Sequence, residues 1–172
     1  MTVPSPWERR ARQPKGDAAP HGIFYAVGMA LSLWETIEDE ICVSYTGLIY
    51  NDDYRDDDKY FSTPSFENRH KMLSKAILKN MHGQDISGFQ QFIDIVLKYN
   101  SRRHDIAHGR VVNLGEYGFY LCPNNVLTRN SPQLIAEYQY TTSDLAYYCG
   151  EFLKLVNEAK SFAERLHHRR TN

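Results

Sequence analysis

Residues 87–109 read SGFQQFIDIVLKYNSRRHDIAHG, and the fold turns on how this stretch is read. Phe89, Phe92, Ile93, Val96, Asn100, Arg103 and Ala107 recur at three- and four-residue steps, the spacing of one side of an amphipathic helix. The helix begins after Asp85 or Ser87, and Gly109 stands where a C-terminal glycine would close it. At about 100 degrees per residue, Arg103 falls inside the apolar stripe and Arg102 on the opposite side. A charge on an apolar stripe is costly unless it is paired, hydrogen-bonded or turned toward a cleft, so Arg103 needs a partner or a site and Arg102 needs neither. His104 and His108, four residues apart, project from one flank beside Arg103. Arginine holds phosphate through two parallel hydrogen bonds and imidazole moves protons near neutral pH, so the cluster suits phosphodiester cleavage.

The flanking sequence supplies further helices. Ile23, Phe24, Val27, Leu31, Trp34, Ile37, Ile41, Tyr45 and Leu48 predict a long amphipathic helix. The acidic run Asn51 to Asp58 breaks it as a solvated loop, since it lacks the spaced ligands, mid-loop glycine and closing glutamate of a calcium loop. A second helix starts near Pro64-Ser65 and runs through Met72, Leu73, Ala76 and Ile77 to about Met81. After the motif helix, Val111, Val112, Phe119, Tyr120 and Leu121 flank the turn Gly115 to Gly118 and predict a small hairpin, followed by a long loop to Tyr140. From an N-cap at Thr142 or Ser143, the positions Leu145, Tyr148, Phe152, Leu155, Val156, Ala159, Phe162 and Leu166 define a closing helix. Residues 1–20 carry four prolines and read as a flexible arm, which leaves 21–170 as one helical domain.

Composition narrows the function. A formal net charge of −1 and a pI near 6.6 rule out binding of nucleic acid by bulk positive charge, so any RNA contact must be local. Cys42, Cys122 and Cys149 are odd in number and scattered, which fits packed, reduced thiols and a cytoplasmic protein better than a disulfide framework. The N-terminus shows no secretory signal and no stretch is apolar enough for a membrane span. His104-Asp105-Ile106-Ala107-His108 also has the spacing of a helical zinc pair, and His104-Asp105 that of an HD-type hydrolase. Aspartate replaces the usual glutamate base, however, and neither His70 nor His82 lies in a recognisable ligand motif. The tyrosines 138, 140, 147 and 148 read as core or dimer packing in preference to base stacking.

Arg103-His104-Asp105-Ile106-Ala107-His108, ending in Gly109, resembles the motif of HEPN ribonucleases: arginine, a polar residue, three further residues, then histidine. The setting is similar too, with a long first helix containing Trp34 to Glu38, the motif at the end of a later helix, and a closing amphipathic helix. The resemblance implies an all-α, HEPN-like antiparallel bundle of four to five helices with a hairpin insertion after the motif helix. It implies a homodimer with a composite cleft, cleavage of RNA through its 2′-hydroxyl, and no metal or other cofactor. In that setting His108 transfers the proton, Arg103 stabilises the phosphorane and His104 assists, with Glu35 and Glu38 as candidate partners of Arg103, and Asn100 and Asp105 as further supporting residues. A toxin–antitoxin or phage-defence role, with an antitoxin or other protein partner, follows from the same likeness. The alternative within it is an inactive HEPN binding module.

Overall fold

The computed structural model describes residues 5–49, 60–81, 84–123 and 138–171. Helices α1 (His21–Ile49), α2 (Phe66–Asn80) and α3 (Gln84–Ala107) precede a hairpin of β1 (Arg110–Asn113) and β2 (Phe119–Cys122), and α4 (Thr142–Thr171) closes the chain. The protein is therefore mostly helical with one small antiparallel sheet. The acidic run at 51–58, most of the expected loop before Tyr140, and His82 lie outside the described residues. Among the described residues, no helix is long and apolar enough to cross a membrane.

The helices form where the periodicity places them, with two corrections of phase. All eight apolar positions named for α4 are buried. Its cap is Thr141, one residue earlier than expected: the Asp144 amide donates to Thr141 Oγ1 at 3.3 Å and the Thr141 amide donates back to the Asp144 carboxylate at 3.0 Å. Ser65 caps α2 by accepting from the Asn68 amide, and Leu73, Ala76 and Ile77 are its buried face. In the first half of α1 the buried face is Ile23, Ala26, Ala30 and Trp34, whereas Phe24 is exposed. Two small alanines carry the contact that the larger neighbouring residues were expected to make.

Two compact units divide the chain, one formed by Met1–Trp34 and Lys98–Leu153, the other by Glu35–Leu97 and Lys154–Asn172. In the second unit Phe89 and Phe92 pack on Phe162, with ring centroids 4.7 and 5.3 Å apart, and the Tyr45 and Tyr60 rings lie against each other. Arg69 donates to the buried Glu38 carboxylate.

In the first unit Cys149 Sγ donates to the Ala26 carbonyl and the Trp34 ring meets Phe152 edge-on at 5.2 Å, so contacts advance in the same sense along α1 and α4. Tyr99 donates to Glu151, while six residues further along α3 Asp105 meets Tyr140, before the start of α4. Hence α3 runs against α4 while α1 runs with it, and the helices are not antiparallel throughout.

The hairpin pairs Arg110 with Cys122 through Asn113 with Phe119, and β2 forms single bridges on its other edge, Phe119 to Asp17 and Leu121 to Tyr140. The first of these bridges corrects the expectation of a loose arm, because residues 5–20 are docked. Asp17 and Phe119 exchange backbone hydrogen bonds of 2.9 and 2.8 Å. The Gln13 and Glu8 carbonyls accept from the Tyr120 and Tyr148 hydroxyls at 3.1 and 2.8 Å, and Trp7 lies edge-on to Tyr99 under the Lys98 ammonium. Prolines deny this segment a helix of its own, but they leave its carbonyls, arginines and tryptophan available to the rest of the unit. The Asp17 carboxylate also accepts from the Thr142 amide at 2.8 Å, adding a second cap to α4.

Gly109 follows from this packing and not from helix termination. Its φ is not positive, unlike those of Gly115 and Gly118. A Cβ there would lie 2.8 Å from Leu121 Cδ1 and 2.9 Å from the Asp105 carbonyl oxygen. Gly109→Ala should therefore destabilise the protein by about 1–3 kcal/mol, read as a lower denaturation midpoint. An unchanged midpoint would show that the hairpin can lift away from the helix end without loss.

Candidate functional site

The last two turns of α3 and the residue beyond them separate into an outward and an inward set. His104 and His108 are exposed, with ring centroids 4.4 Å apart and planes tilted by 55°. The His108 amide still donates to the His104 carbonyl at 3.1 Å, so the helical turn holds the two imidazoles side by side. Arg103 and Asn100 are half-buried on the same segment.

The inward set is Arg102 and Asp105, and here the expected phase fails. Arg102 is buried, against the expectation that it faces away from the stripe. The buried face runs Val96, Tyr99, Arg102, Asp105 and Ile106, so it pivots by one position at Tyr99, a residue left out of the predicted stripe. Asp105 is only 2% exposed and is the hub. Arg9 reaches it from the docked arm as a fork, Nε to Oδ2 at 2.9 Å and Nη2 to Oδ1 at 2.7 Å. Arg102 Nη1 lies 3.0 Å from Oδ2, and the Tyr140 hydroxyl donates to Oδ2 at 3.0 Å while accepting from Arg102 Nη1 at 3.3 Å. One carboxylate thus compensates two guanidinium ions and orients a buried phenol.

The electrostatic consequences follow from burial and from this pairing. The hydrogen bond to Asp105 raises the Arg9 guanidinium above its ordinary value. Burial raises the Tyr140 hydroxyl far above the usual phenol range and pushes Tyr148 up to about 12, so both stay protonated donors at neutral pH.

The structure brings Arg103, His104 and His108 to one helix end and adds Arg9, Arg102 and Tyr140 behind them. Asp105, expected as a supporting residue, is held by Arg9 and Arg102. Glu38 pairs with Arg69, and Glu35 is an exposed residue of the other unit. Of the four tyrosines, Tyr140 and Tyr148 are core residues, whereas Tyr138 and Tyr147 are half-buried beneath Arg9 and Arg10. Among the described residues, no group of three or more His, Cys, Asp or Glu side chains is arranged to hold a metal ion. Arg102 and Asp105 have the i,i+3 spacing of a helical ion pair, a signal that the sequence reading passed over, whereas the contribution of Arg9, 96 residues away, left no local signal. No family model matches the chain, and no curated protein or solved structure matches it either.

Proposed function

We propose that this chain is an endoribonuclease of the HEPN type that cleaves RNA without a metal. The observation that carries the reading is the exposed His104/His108 pair, side by side one turn apart and next to half-buried Arg103 at the end of a long helix. In the reaction the RNA 2′-oxygen bonds to phosphorus as its proton passes to His108. The P–O5′ bond then breaks as His108 gives that proton to the departing 5′-oxygen, leaving a 2′,3′-cyclic phosphate and a 5′-hydroxyl. Arg103 stabilises the charge that builds on the phosphorane, and His104 orients or assists. The reading includes a HEPN-like bundle, a two-fold pair of protomers sharing one cleft, and a role in a toxin–antitoxin or defence system with its protein partner.

Metal independence tests this chemistry. Because the nucleophile is already in the substrate, cleavage of single-stranded RNA should persist in EDTA and should stop when the 2′-oxygen at the cut site is methylated. Strict dependence on added zinc, with activity recovered on readdition, would overturn the reading in favour of a metal hydrolase built on His104 and His108.

A further inference from the structure

The docked arm carries a chemistry that the motif helix does not use. Residues 9–15 contain Arg9, Arg10, Arg12 and Lys15 and no acidic residue, in a chain whose net charge is −1. Arg9 is spent on Asp105. Arg10 has one carboxylate oxygen of Asp144 at 3.5 Å, and its side chain remains 43% exposed. Among the described residues neither Arg12 nor Lys15 has an ion-pair partner. The arginines lie on aromatic rings: Arg10 is 4.7 Å from the Tyr147 centroid, and Arg12 is 5.6 Å from both Tyr117 and Tyr120. Tyr117 is itself 47% exposed.

Two open cavities follow the arm. One of about 480 Å³ is lined by Arg9, Arg10, Gln13 and Tyr147 among others, and one of about 490 Å³ by Gln13, Lys15, Asp17, Thr141 and Ser143 among others. Gln13 belongs to both, so they flank the same stretch of arm. A guanidinium resting on a phenol ring has already lost much of its rotamer freedom, while its in-plane N–H groups remain able to hold phosphate oxygens. Cations and aromatic rings gathered along one segment suit a strand that presents both phosphates and unstacked bases.

We propose that residues 9–15, with Tyr117 and Tyr147 beside them, form a binding track for single-stranded RNA, its phosphates held by Arg10, Arg12 and Lys15. The choice of RNA rests on the ribonuclease reading above, and the track deepens that reading by assigning the substrate a path. Through Arg9 and Asp105 the same arm is joined to the motif, so the track and the proposed cleavage site share one framework. An acidic peptide would satisfy the cations but would leave the aromatic surface without a role.

The test uses the full chain carrying His108→Ala and a labelled oligouridylate, with affinity read by fluorescence anisotropy across a salt series. The triple substitution Arg10→Gln, Arg12→Gln and Lys15→Gln should weaken binding by about tenfold or more and lower the log–log salt slope by about 2. The same changes at Lys71, Lys75 and Lys79 on α2 should alter neither quantity. Should the triple variant fold poorly, Arg12→Gln and Lys15→Gln alone should each lower the slope by about 0.7. Equal losses in the arm and α2 variants, or no RNA binding by the parent chain, would overturn the proposal. Oligoglutamate binding as tightly as RNA would overturn it in favour of an acidic peptide. Failure of the two readings is distinguishable: binding by the track without any cleavage sinks the ribonuclease alone, and cleavage indifferent to the triple substitution sinks the track alone.

Discussion

Asp105→Ala is expected to lower the folding stability by about 3–5 kcal/mol, the range for breaking a buried ion pair from one side. The substitution leaves Arg102 buried without its carboxylate and removes the acceptor that fixes the Tyr140 hydroxyl, while Arg9 loses both prongs of its fork. Guanidinium denaturation at neutral pH should show the midpoint falling with little change in slope. Arg9→Gln should cost less, because Arg102 still compensates the carboxylate and Arg9 is partly exposed. A loss from Asp105→Ala no larger than that of an ordinary surface substitution would mean that water replaces the carboxylate and that the hub holds nothing together.

The second large effect is chemical. His108→Ala should reduce RNA cleavage by about 10²–10⁴-fold, the usual contribution of a positioned proton-transfer group. Arg103→Ala should cost about 10²–10³-fold, as expected for loss of a charge-stabilising donor. Both substitutions lie outside the Arg9–Asp105–Arg102 cluster, so single-turnover rates can be compared at matched folding, and His108→Ala should still bind RNA. Full activity in either variant would remove that residue from the mechanism. The sequence reading placed the wrong arginine inward: the inward arginine is Arg102, whose loss should be felt in stability, while the proposed catalytic burden stays on Arg103.

That misassignment shows where pattern reading succeeds and where it stops. Strongly periodic segments were legible: every apolar position named for α4 is buried, and the hairpin turn lies at Gly115 to Gly118. Phase was less secure wherever buried positions were small or amphipathic. Ala26 and Ala30 in α1 carry contacts that a count of large apolar residues assigns to their neighbours, and in α3 Tyr99 takes the buried place that the stripe gave to Asn100. The juxtaposition of His104 and His108 was legible because the two rings need only one helical turn to meet. Its support was not, because Arg9 and Tyr140 reach Asp105 from 96 and 35 residues away, and no local window contains such a pairing. The arm was misread for the same reason: its composition predicts what it can do alone, whereas its order comes from partners elsewhere in the unit.

Those separations also set an order of events during synthesis. Arg102 and Asp105 are three residues apart and can pair as soon as their helical turn forms, but Arg9 leaves the ribosome 96 residues before Asp105, and Glu8 140 residues before Tyr148. The arm must therefore wait, with its cationic side chains still without these partners, while nearly all of the chain that will receive it is made. Closing such long loops is slow compared with forming helices, so docking comes late and completes this unit after its helices have formed. The Asp105 carboxylate passes through that interval with Arg102 as its first counter-ion, and the arm, made before the helices and strands of this unit, is among the last of its segments to find its place.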